Sequence, residues 1–190
     1  MKNQNDQEPQ EEKKPSLAKE VFSWLLCFTL AFLAAFFLKN YIIINADVPT
    51  GSMENTIMPG NRLIGNRLAY WKSDPDRGDI IIFRYPDNES ELYVKRVIGL
   101  PGEKVVIEDA KVYLNDSDTP LAEPYLKEEW TVATGPFEFQ VPENSYLVMG
   151  DNRNDSWDAR YWSNTYVKKD KILGEAELVY WPLSDFGKLN

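Results

Sequence analysis

Residues 79–98 read DIIIFRYPDNESELYVKRVI. Two runs within it, DIIIFR at 79–84 and LYVKRVI at 92–98, are rich in β-branched and aromatic residues, and Pro, Asp and Asn lie between them, so the stretch reads as two strands separated by a turn. The same signature recurs downstream in KVVI at 104–107, KVYL at 111–114, FEFQV at 137–141 and SYLVM at 145–149. Asp109-Ala110 joins two of these runs as a tight hairpin would. No apolar period near 3.6 residues is sustained after residue 45, which predicts a mainly β domain over 45–190. Within it, residues 115–135 are polar, Pro-containing and weakly patterned, as in a long loop or an insertion.

Upstream the pattern is of another kind. VFSWLLCFTLAFLAAFFL at 21–38 carries no charge, and eighteen residues at 1.5 Å each span about 27 Å, close to the hydrocarbon thickness of a bilayer. A buried core helix would show a polar face over such a length. A cleaved leader would have a shorter apolar run, a less acidic start and an A-x-A site after it. The run therefore predicts a transmembrane anchor over 21–44. Residues 1–20 hold no aromatic side chain and are dominated by Gln, Glu, Lys and Pro, the composition of a disordered tail. Lys13, Lys14 and Lys19 precede the span and only Lys39 follows closely, which predicts a cytoplasmic tail and an extracytoplasmic domain at 45–190 in a single-pass protein of the cell membrane.

Composition limits the chemistry. The 190 residues carry 21 Lys and Arg against 30 Asp and Glu, a net charge of −9, which is the wrong sign for a nucleic-acid partner. There is no His, so a Ser-His-Asp triad, a Cys-His protease and a His-ligated metal are all excluded. The single Cys27 supports neither an internal disulfide nor a thiolate zinc site. A nucleophilic enzyme with this composition would need Ser or Thr activated by Lys.

Three segments meet that need. PTGSM at 49–53 places Ser52 directly after a Pro and Gly turn, although a Gly-Ser turn alone is ordinary. In YVKRVI at 93–98, strand alternation puts Lys95 on the face of Tyr93 and Val97, where burial would lower its pKa from about 10.4 towards 7 or 8; a solvated strand lysine is the plain alternative. GDNRNDSWDAR at 150–160 packs polar groups just after an apolar strand. It fails as an EF-hand loop, with Arg at the third position from Asp151 and Ser at the sixth. Asp158 and Arg160 could pair across a turn there, either as part of a site or as a surface ion pair worth under about 1 kcal/mol.

Taken together, the tail and anchor, PTGSM, RGDIIIF at 77–83, YVKRVIGLPGE at 93–103 and GDNRNDSWDAR resemble the type I signal peptidase (leader peptidase) family of Ser-Lys serine proteases, in the family's order and over nearly the whole chain. The resemblance implies a membrane-bound endopeptidase that removes signal peptides from exported preproteins after small residues, on a predominantly β catalytic domain, close to the export translocon and membrane lipid, with no cofactor. It implies Ser52 as nucleophile and Lys95 as general base, with Thr50 and the Ser52 N–H in the oxyanion hole. Ser156 would orient the lysine, and Asp158 and Arg160 would form a supporting pair. Many members carry Pro at Asn55, Asp at Asn61, Asn at Asp155 and Ser at Ala159. Asp155 would place a carboxylate beside Ser156, where it would favour the protonated form of Lys95. A catalytically silent, membrane-tethered binding module of the same fold, or a Ser-Lys self-cleaving protease, are the competing functions.

Overall fold

The computed structural model describes residues 17–189; the expected disordered tail lies outside these except for residues 17–20, which are helical. The chain divides into two units, residues 1–38 and 39–190. In the first, helix α1 runs Leu17–Phe37. It starts four residues before the expected anchor because Leu17, Ala18, Lys19 and Glu20 are all good helix formers. None of its residues is buried, and the apolar stretch Leu17–Ile42 is long enough to cross a membrane.

A π-helical turn, Leu38–Ile42, precedes strand β1 (Ile43–Asp47), the first strand of the second unit. Ile43 and Ile44, expected in the anchor, instead pair with Asn66 and Gly65 of β2 (Arg62–Asn66), as β-branched residues with a strand partner available should. The other strands are β3 (Ile80–Tyr85), β4 (Asn88–Gly99), β5 (Lys104–Glu108), β6 (Lys111–Leu114), β7 (Phe137–Gln140), β8 (Ser145–Met149), β9 (Val167–Lys168), β10 (Ile172–Trp181) and β11 (Gly187–Lys188). They form one antiparallel sheet in the order β1-β2-β10-β3-β4-β8-β9, with β11 beside β10, and a smaller sheet in the order β6-β5-β7. The predicted hairpin is present: Glu108 pairs with Lys111 across Asp109 and Ala110, whose φ angles of 47° and 60° suit a two-residue turn. Residues 115–136 contain neither helix nor strand.

Strand β3 explains the core. Its side chains alternate between two hydrophobic clusters: Ile81 and Phe83 pack with Val97, Leu147 and Met149, while Ile80 and Ile82 pack with Ile44, Met53, Ile57 and Leu63. Both faces are buried, hence an unbroken IIIF run rather than an alternating one. Strand β4 pairs with β3 so that Lys95 lies opposite Ile81, and β1 leads directly into the turn that carries Ser52.

Candidate active site

The turn after β1 is built by Glu54 N–H to Gly51 O (3.0 Å) and Ile57 N–H to Met53 O (2.8 Å), with Met53 and Ile57 driven into the core as its anchors. Ser52 therefore has a fixed backbone and is itself buried. From the end of β8, the segment 150–160 closes over it. Asn152 donates its backbone N–H to Ser52 O at 3.1 Å and its side-chain amide to Gly51 O at 3.0 Å. Gly150 has to be glycine: a Cβ there would lie 2.2 Å from Ser52 O and 2.3 Å from Ser156 Oγ.

Lys95, 3 % exposed, donates from Nζ to Ser52 Oγ at 2.5 Å, and the Tyr93 ring lies 5.6 Å from the same nitrogen. Burial brings its pKa from 10.5 down to about 8, against the raising influence of Asp158 and Asp151 and with some help from the Arg160 guanidinium. Thr50 Oγ1 stands 3.4 Å from Ser52 Oγ. An open cleft of about 630 Å³ runs over these groups, walled by Val48, Pro49, Leu92 and Val94 and by the exposed Trp157.

Asp158 and Arg160 form a fully buried pair, so the surface alternative is excluded: Nε to Oδ1 is 2.8 Å and Nη2 to Oδ2 is 2.9 Å. Burial pushes the Asp158 carboxyl up, but Arg160, the Gly150 N–H and nearby Ser156 outweigh it and hold the pKa below the usual value. Ser156 Oγ is buried next to Asp158 and makes no hydrogen bond of ordinary geometry, so the expected contact to Lys95 is not formed. Asp155 is exposed on the cleft rim; the carboxylates acting on Lys95 are Asp158 and Asp151.

Two departures from the family pattern follow from local structure. Asn55 has φ 84°, a conformation proline cannot take. The Asn61 amide donates to Asp185 at 2.8 Å, where an aspartate would face a second carboxylate.

Several residues that matter here carried no distinct sequence signal. Arg96 clamps the buried Asp151 carboxylate through Nε (2.9 Å) and Nη2 (2.8 Å), and Thr56 of the nucleophile turn donates to the same carboxylate at 2.5 Å. Glu123, from the long loop, takes two hydrogen bonds from buried Arg153 at 3.1 and 2.5 Å, and Trp130 of the same loop lies against the guanidinium groups of Arg153 and Arg160 at 4.9 and 5.3 Å. Residues Gly51–Thr56, 150–160 and the loop thus form one hydrogen-bonded assembly around Lys95.

A family model described as "Signal peptidase, peptidase S26" matches residues 21–181. The chain is 35 % identical over 167 residues to "Signal peptidase I" of Leptolyngbya laminosa, covering 84 % of this chain and 79 % of that one. It is 30 % identical over 186 residues to "Signal peptidase IB" of Staphylococcus aureus (strain COL), covering 90 % and 94 %. A crystal structure of a signal peptidase I from Enterococcus faecalis V583 aligns with 36 % identity and a TM-score of 0.46, over 54 % of this chain and 97 % of that one.

Proposed function

We infer the division of labour in the site from one premise: this chain belongs to the signal peptidase family, peptidase S26, and is a membrane-anchored serine endopeptidase that removes signal peptides from preproteins. The observation that carries the assignment of roles is a buried amine 2.5 Å from a buried hydroxyl in a chain with no histidine. Neutral Lys95 takes the proton of Ser52 as Oγ attacks the scissile carbonyl carbon, and the resulting ammonium returns it to the departing amine. The acyl-enzyme is then hydrolysed by a water that gives its proton to the same amine. Thr50 Oγ1 and the Ser52 N–H stabilise the oxyanion. Ser156, Asp158 and Arg160 are positioning residues: the ion pair fixes the 150–160 segment and sets the field at Lys95 together with Asp151.

The domain at 45–190 is the catalytic unit, lies outside the cytoplasm and meets its substrates as they leave the translocon, in keeping with the lysine excess before the span. Cleavage follows small residues at the first and third positions before the scissile bond, as export sites present. Purified full-length protein in detergent, incubated with a preprotein, should release the mature chain, and the Ser52→Ala protein should not. If Phe at the first position before the bond is processed as fast as Ala, the specificity assignment fails. Protease added to intact cells should digest the C-terminal domain and spare an N-terminal tag; the opposite protection pattern reverses the topology.

A further inference from the structure

The cleft over Ser52 and Lys95 has a tryptophan on its rim whose ring is fixed and yet uncovered. Trp157 is 55 % exposed. Its indole N–H donates to the Tyr85 hydroxyl at 3.2 Å, and the ring stacks on Tyr161 with 5.4 Å between centroids and 8° between planes. Tyr85 in turn stacks on Tyr93 at 4.4 Å. A large apolar ring, anchored on two sides and left open towards a catalytic cleft, marks a place for part of a ligand.

Strand β4 decides which part of a substrate comes there. Among the described residues β4 pairs with β8 only from Arg96 onward, so from Leu92 to Lys95 its edge away from β3 is open, and these residues line the cleft. An extended peptide fits such an edge by adding a strand. Lys95 stands at the end of the open edge, against Ser52, so peptide residues lying along Leu92–Val94 belong to one side of the scissile bond. Alternation gives the added strand two faces. Val94 lies on the side of Val48 and Met53, whereas Tyr93 and Lys95 lie on the other, with Tyr85 and Trp157. The first and third residues before the bond, which have to be small, share a face, and the face walled by Val48 and Val94 is the one that limits size. The second residue then points to the Tyr93 face, towards Trp157.

The charge around that face is negative. Asp155 is exposed on the rim beside Trp157, and Lys127, the cation it acts on, is held by Glu54. Glu91, one alternation before Tyr93, lines the same cleft and accepts from Asn88 at 2.7 Å. Asp47, the third carboxylate of the lining, is held by Arg62 at 3.2 Å, and Lys95, the lining's cation, is engaged with Ser52. A side chain that lies across an indole and ends in a cation suits both the ring and the carboxylates.

We propose that Trp157 is a specificity residue for the second position before the scissile bond: its ring takes the stem of a long side chain, arginine or lysine above all, whose charged head meets Asp155. The proposal rests on the reading of Ser52 and Lys95 as a peptidase dyad and adds a third read position to the two that require small residues.

The experiment uses full-length protein in detergent and a preprotein with Ala at the first and third positions before the bond and Ala, Leu, Arg or Glu at the second, read as kcat/KM. Arg should be cleaved about fivefold faster than Ala and at least about tenfold faster than Glu, with Leu between Ala and Arg. Trp157→Ala should bring the Arg-over-Ala ratio to within about twofold of unity, and Trp157→Phe, which keeps a ring, should retain most of it. Asp155→Asn should lessen the Arg-over-Glu ratio about threefold and spare the Leu-over-Ala ratio. Each ratio is taken on one enzyme preparation, so it does not depend on how much of a variant is folded. Equal ratios in wild type and Trp157→Ala would overturn the proposal, as would an effect of Trp157→Ala confined to Arg at the first position after the bond. An Arg-over-Glu ratio unchanged by Asp155→Asn would overturn the part given to that carboxylate. No cleavage of the Ala substrate by wild type would overturn the dyad reading, and this proposal with it.

Discussion

Replacing Lys95 by arginine separates the base from its charge. With a pKa of about 8, the amine is neutral in about a tenth of molecules at pH 7, half at pH 8 and nine tenths at pH 9. The wild-type rate should therefore climb about tenfold per pH unit below 8 and level off above it, with no descending limb from an imidazole because none exists. A guanidinium stays protonated far above the range of an amine and is neutral in only about one molecule in 10⁵ at pH 8. Even if burial lowered it as far as it lowers the amine, by 10.5 − 8 = 2.5 units, the neutral fraction would be about 0.003, more than a hundredfold below that of lysine. Lys95→Arg should accordingly lose at least about a hundredfold in rate, and more where the larger group displaces Ser52 Oγ from its 2.5 Å contact. The assay is single-turnover cleavage of a preprotein from pH 6 to 10, with thermal unfolding as a control that the variant is folded. Activity above about a tenth of wild type at pH 8, or a wild-type rate that does not change between pH 6 and 8, would refute Lys95 as the base.

Lys95→Met should stabilise the protein. The folded pKa lies below the unfolded one, so the unfolded chain holds the extra proton between pH 8 and 10.5; stability from this group rises with pH through that window, and below it the lysine costs up to about 3 kcal/mol. Denaturant titration should show the gain at pH 7 and its disappearance above pH 10.5. Gly150→Ala, whose new methyl meets Ser52 O at 2.2 Å, should lower kcat at least about a hundredfold in an otherwise folded protein, measured under saturating substrate. Thr50→Val should be milder, losing one oxyanion donor at about 3 kcal/mol or less while the Ser52 N–H remains, and should leave the pH midpoint in place. Glu123→Gln strands the buried Arg153 charge and should cost about 3–5 kcal/mol, seen as a fall in Tm of roughly 10 °C.

The strands that sequence made legible are those whose apolar runs are continuous or end in clear turn residues: β3 to β8 lie within a few residues of their expected bounds. Strands β1, β2 and β10 were not legible. β1 merges with the apolar run before it, and β2 is interrupted by Gly65, whose absent side chain admits Ile82 Cδ1 and Glu175 O. β10 breaks its alternation at two register shifts against β2. At the site, Ser52, Lys95, Asp158 and Arg160 come together as the motifs suggest. The Arg96–Asp151 clamp and the Glu123 and Trp130 contacts were hidden because their partners lie far apart in sequence, and a charged residue reads as exposed until its counterion is known. The expectation that Asp155 would bias Lys95 is met by other carboxylates: Asp155 is exposed on the cleft rim, and Asp158 and Asp151 are the ones that raise the Lys95 pKa.

The apolar stretch Leu17–Ile42 has a kinetic consequence apart from holding the protein in place. An enzyme confined to a bilayer encounters a substrate that is itself inserted there by lateral diffusion in two dimensions. The concentration that governs turnover is then molecules per unit of lipid, and adding inert lipid at constant volume should slow cleavage while adding water should not. Saturation constants for this protein carry meaning as mole fractions in the membrane, and a soluble peptide bearing the same cleavage site forgoes that confinement and has to meet the cleft from bulk solution.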